Sequence, residues 1–145
     1  MKLNEQQKLS EQHANEMFAP MLSEGEKSVC TVICSVKTSN MRYDLQSIPF
    51  VCYASCTSGG RLLLAVFGAD IFEEYSMKAF EISLLKNLKI NKRLFGDYRV
   101  NAEFPVENRS IELEISVAPK AYNGGFPNQE ENLEKMIEIL RKYEN

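Results

Sequence analysis

From Ser28 to Val117 the chain is cut into short runs that read with the period of a β-strand, and only after Asn128 does the apolar spacing become that of a helix. That single switch constrains the fold more than any other feature. Strands of this kind must pair with one another, and one helix must cover the apolar face they leave open. Ser28 to Lys37 (SVCTVICSVK) puts Cys30, Val32, Cys34 and Val36 on one face and Thr31, Ser35 and Lys37 on the other. Phe50 to Thr57 (FVCYASCT) repeats the pattern with Phe50, Cys52, Ala54 and Cys56. Ser58-Gly59-Gly60 is a tight-turn signal, so Arg61 to Phe67 (RLLLAVF) is expected to return beside it as a buried strand.

Four further strands are expected over Lys78 to Leu84, Leu88 to Leu94, Asp97 to Phe104 and Ser110 to Val117, with Gly96, Pro105 and Asn108 at the breaks. The last alternates cleanly, with Ile111, Leu113, Ile115 and Val117 inward and Glu112, Glu114 and Ser116 toward water. Asn128 is placed to cap a helix, Glu131 stands three residues on, and Leu133, Met136, Ile137, Leu140 and Tyr143 recur at helical spacing. Asn4 to Phe18 also favours helix, but only Leu9, Met17 and Phe18 are clearly apolar there, which predicts a peripheral helix docked by its last turns. Pro20 and Ser23-Glu24-Gly25-Glu26 end it.

Composition sets the class. A chain of 145 residues with 44% hydrophobic and 26% charged residues can bury roughly 68–70% of its unfolded surface in one domain. The net charge of −3 argues against a nucleic-acid partner, because backbone binding needs a basic face. Residues 1 to 19 are polar where an apolar signal region would stand, and no apolar run approaches membrane-spanning length. The expectation is a cytoplasmic domain whose four cysteines stay reduced.

Seven strands followed by one amphipathic helix is the element order of the pleckstrin-homology superfold. Gly60-Arg61-Leu62-Leu63-Leu64, then Phe80-Glu81-Ile82-Ser83-Leu84, Leu88-Lys89-Ile90 and Leu94-Phe95-Gly96, resembles the bacterial pleckstrin-homology-like (PH-like) domains. The resemblance covers about Glu26 to Tyr143 and implies a mainly β fold, a seven-stranded bent antiparallel sheet or barrel capped by a C-terminal helix. On this division, residues 1–25 are an N-terminal helical extension and residues 26–145 the PH-like domain. PH-like domains as a class bind phosphoinositides, peptides or proteins from unrelated surfaces, so the resemblance implies binding without fixing a ligand.

Chemistry finds few candidates. Cys30, Cys34, Cys52 and Cys56 suggest zinc, but residues four apart on a strand are ~13 Å from each other, beyond shared coordination. An antiparallel register with a constant index sum of 86 would place Cys30 opposite Cys56 and Cys34 opposite Cys52, which allows two thiol pairs but no four-ligand site. Buried, reduced thiols acting as small hydrophobes are expected, with a metal or redox protein as the weaker alternative. His13, the one histidine, is expected on a wet helix surface. Carboxylates such as Glu73-Glu74, Glu112 and Glu114 are spaced like solvent-facing residues, and Gly59-Gly60 and Gly124-Gly125 lack the residues of a phosphate loop. No catalytic residue, cofactor site or metal site is assigned, and the chain is expected not to be an enzyme.

Two surfaces remain. Met41, Arg42, Tyr43, Leu45 and Ile48 lie in a connection and offer Met and aromatic side chains for a protein partner, unless they fold back over the barrel mouth. Ile71-Phe72 and Tyr75 could close the other side of the same edge or support a homodimer. The alternative is a peripheral membrane adaptor: Lys86, Lys89, Lys92, Arg93 and Arg99 surround Leu94-Phe95, which is either an exposed turn tip or core. Phosphoinositide-binding PH domains concentrate their cations in the first two strands and the loop between them, where this chain has only Lys37 and Arg42, close to Asp44. The leading expectation is therefore a non-enzymatic module that binds a protein, with anionic lipid second.

Overall fold

The computed structural model describes residues 9–38, 49–72, 75–121 and 124–144. Seven strands form one antiparallel sheet: β1 (Ser28–Thr38), β2 (Phe50–Thr57), β3 (Arg61–Val66), β4 (Met77–Glu81), β5 (Lys86–Lys92), β6 (Tyr98–Val106) and β7 (Arg109–Val117), in the order β4-β3-β2-β1-β7-β6-β5. Helix α1 (Glu11–Phe18) precedes them and α2 (Gln129–Arg141) follows. This is the mainly β architecture with a helix at each end that the sequence predicts. The sheet is curled into a half-barrel. Phe80 on β4 and Phe104 on β6 lie five strand spacings apart in the order, ~24 Å in a flat sheet, yet their ring centroids are 4.9 Å apart.

The concave face holds the larger core, and α2 lies across it with Leu133, Met136, Ile137 and Leu140 all buried. Burying each such side chain stabilises by about 1.5–3 kcal/mol, so the apolar stripe holds the helix in place. Tyr143, expected in the same stripe, is instead 37% exposed, one turn beyond the end of the buried row. Asn128 occupies the N-cap position but makes no capping bond; its amide donates to Glu11 Oε2 at 3.1 Å.

The start of α2 does something the sequence does not signal. β7 pairs with β1 only from Ser35 to Thr38, which leaves the earlier part of β1 without a strand on that side. Gln129, buried to 2% exposure, fills the gap: its Oε1 accepts from the Ile33 N–H at 3.2 Å, and its Nε2 donates to the carbonyls of Ile33 at 2.8 Å and Ala118 at 3.0 Å. Asn132 Nδ2 donates to the Thr31 carbonyl at 3.0 Å. Two side-chain amides thus replace ladder bonds that a strand would supply.

A second core lies on the convex face. Ala14 and Phe18 of α1 pack with Tyr53, Leu63, Ala65, Phe67 and Phe126, so β2 and β3 are buried on both faces. Double burial explains why RLLLAV is apolar without alternation. Ser10 caps α1 by accepting the His13 N–H at 3.0 Å. His13 is not the solvated histidine expected: it is half-buried, with Nδ1 2.9 Å from the hydroxyl of fully buried Tyr53, which also accepts the Ser10 N–H at 3.2 Å. A tyrosine buried on the outer face needs a polar partner at its tip, and α1 brings one.

Candidate functional site

The β5–β6 hairpin ends in a tight turn. Lys92 pairs with Tyr98, the Arg93 N–H donates to the Asp97 carbonyl at 2.7 Å, and the Gly96 N–H donates to the Arg93 carbonyl at 3.1 Å. Gly96 adopts φ +91°, a conformation only glycine takes at little cost, and this ends the turn and returns the chain to β6. The two central positions are left to Leu94 and Phe95, which are 90% and 88% exposed. Of the two readings the sequence allows for this pair, turn tip and core, the structure has the tip. The hairpin turns two residues earlier than the expected strand end at Leu94, because the glycine fixes the turn.

The cations expected around it are distributed unevenly. Lys92 and Arg93 are exposed at the tip itself, with Lys92 Nζ 5.6 Å from the centroid of the Tyr98 ring. Lys89 is exposed one turn of the pleat back, between the buried Leu88 and Ile90, and Arg99 on β6 stands opposite Asn91. Lys86 is opposite Glu103, ~20 Å along the strand from Lys92, which puts it more than two physiological screening lengths from the tip. Met41, Arg42, Tyr43, Leu45 and Ile48, and Glu73-Glu74, lie outside the described residues. Of the expected self-association patch, Phe72 is buried, Ile71 is half-buried and Tyr75 is 61% exposed.

Beside the tip runs an apolar groove of about 450 Å³, walled by Ile33, Val51, Phe95, Val117, Pro119 and Ala121, with Asp97 and Lys120 as its charged members. Its volume is in the range of small-ligand sites. Phe95 belongs to both tip and groove, so the two form one continuous apolar surface.

The cysteines lie where the index-sum register puts them, Cys30 opposite Cys56 and Cys34 opposite Cys52. All four are free and buried. Contact with the partner cysteine, and then burial, push the Cys34 and Cys56 thiols well above the usual thiol range. Thiols held protonated inside a core are poor nucleophiles. Among the described residues no group of three or more His, Cys, Asp or Glu side chains is arranged to hold a metal, and no helix is long and apolar enough to cross a membrane.

One charged cluster was not legible in the sequence. The Glu26 carboxylate accepts from Arg61 Nε at 3.0 Å and from Arg61 Nη2, from the Thr57 hydroxyl at 2.5 Å and from the Ser23 N–H at 2.9 Å. Arg61 Nη2 also donates to the Met21 carbonyl at 2.6 Å. The hydrogen bonds from Arg61 come first among the causes that hold the Glu26 pKa at about 2, followed by those from Ser23 and Thr57. The cluster fastens the segment before β1 to the β2–β3 turn, and its bonds are spent within the protein. The partners are 35 residues apart, a separation over which no periodicity operates.

No protein-family model matches the chain, and no curated protein sequence matches it either.

Proposed function

We propose that this chain is a non-enzymatic binding module of the PH-like type, whose contact surface is the β5–β6 tip with its adjoining groove. The sheet order and the C-terminal helix support the PH-like reading. The observation that carries the function is the exposure of Leu94 and Phe95, neighbours at the end of a hydrogen-bonded turn where a polar residue would cost nothing. Exposed large apolar residues gathered with a groove mark contact sites, whereas single ones do not. All four cysteines are buried in the core, which leaves no exposed thiol for competing chemistry.

A photoreactive amino acid at position 95, compared in cells with the same residue at Glu107 in the β6–β7 turn, tests this. A discrete adduct formed from position 95 and not from 107, whether to protein or to lipid, supports the reading. Equal labelling from both positions, or none, sinks it.

A further inference from the structure

We infer that the β5–β6 tip docks on an anionic lipid surface by inserting Leu94 and Phe95 between headgroups while the surrounding cations engage phosphates. The inference rests on the binding reading above and names the partner of that same surface. Three observations converge on it. The apolar pair projects: both side chains are nine-tenths or nearly so in solvent, and nothing on the hairpin folds over them. A flat protein surface cannot bury two adjacent convex side chains without a hole made to fit, but the headgroup layer parts around them.

The second observation is charge. Residues 89–99 carry Lys89, Lys92, Arg93 and Arg99 against the single carboxylate of Asp97, in a chain whose net charge is −3. Lys120, on the groove wall with Phe95, adds a cation from the other side. The opposite end of the same three strands is mixed in sign, with Glu103, Glu107 and Glu112 against Lys86 and Arg109. The β5–β6–β7 wing therefore concentrates its excess positive charge at the apolar tip. A negative surface orients it tip first.

The third is rigidity. Two backbone hydrogen bonds and the positive-φ glycine fix the turn, so insertion costs little ordering of the chain.

The chain contains no tryptophan, so Phe95→Trp places a lone reporter at the tip. The full-length F95W protein is mixed at low salt with vesicles of phosphatidylcholine alone, or with about one third phosphatidylglycerol. The expected result is a blue shift and co-sedimentation with the anionic vesicles only, reversed as salt rises. Replacing Lys92 and Arg93 together by Gln weakens this about 25-fold, at roughly fivefold for each cation. Leu94→Ser/Phe95→Ser weakens co-sedimentation at least tenfold, and its circular dichroism should match that of the parent.

An unshifted F95W spectrum with anionic vesicles at low salt overturns the proposal, as does equal sedimentation of the serine variant. A shift that grows with protein concentration and ignores lipid assigns the tip to a second copy. That result overturns lipid docking and leaves the binding reading intact. Absence of both vesicle binding and any adduct from position 95 removes both.

Discussion

Two hairpin turns in this protein share a backbone and differ in almost everything else. At the β2–β3 turn the Gly60 N–H donates to the Thr57 carbonyl and Gly60 takes φ +77°; at the β5–β6 turn the Gly96 N–H donates to the Arg93 carbonyl and Gly96 takes φ +91°. The first carries Ser58 and Gly59 at its centre and is clamped by Glu26 and Arg61. The second carries Leu94 and Phe95 and has its side chains in water. Turn geometry alone therefore says nothing about role. What separates an internal fastening from a contact surface is whether the side chains around the turn are already satisfied.

That contrast can be broken experimentally, and the largest effect should come at the clamp. Glu26→Ala leaves Arg61, only 19% exposed at its side chain, without its carboxylate and should lower unfolding free energy by about 3 kcal/mol in a denaturant titration. The pH dependence follows from the same group. Its folded pKa of about 2 lies below the ordinary 4.5, so the unfolded state binds more protons between those values. The stabilisation is complete above about pH 4.5 and is lost as pH falls toward 2. Glu26→Gln should flatten that part of the stability profile, and an unchanged slope would reject the clamp as its origin.

The glycines sharpen the comparison. A Cβ on Gly59 would sit 2.5 Å from Glu26 Oε2, so Gly59→Ala must displace the carboxylate from Arg61, at a cost of about 2 kcal/mol. At Gly96 the nearest atom outside the turn, Pro119 Cγ, is 3.6 Å from such a Cβ, which leaves only the backbone strain of positive φ, about 1 kcal/mol. The smallest effect belongs to the tip, where Leu94→Ser/Phe95→Ser should change thermal or denaturant stability by less than about 0.5 kcal/mol. A larger loss would mean that the pair packs against the fold.

The sequence foretells strands better than it foretells what joins them. Alternation in Ser110–Val117 and the Cys30, Cys34, Cys52 and Cys56 spacing are local or symmetric signals, and both the facing and the register they imply are observed. Leu94-Phe95 could be read two ways because KINKRLFG has the same pattern whether the chain turns at Lys92 or at Leu94; only pairing with Tyr98 decides. Double burial of β2 and β3 depends on α1, whose few apolar residues give little sign of the convex core they complete. Gln129 and Ile33 are 96 residues apart, and a polar residue opening a helix reads from sequence as solvent-facing. Contacts of that kind have no period to betray them.

The amides at the start of α2 carry a consequence for motion. In an antiparallel strand, neighbouring N–H groups point to opposite sides, so those of Val32 and Cys34 face β2 while that of Ile33 depends on a glutamine. Should the front of the helix lift, Ile33 would trade its proton for deuterium while the residues on either side stayed protected. A single backbone position near the middle of the longest strand thus serves as a built-in gauge of whether the C-terminal helix is seated.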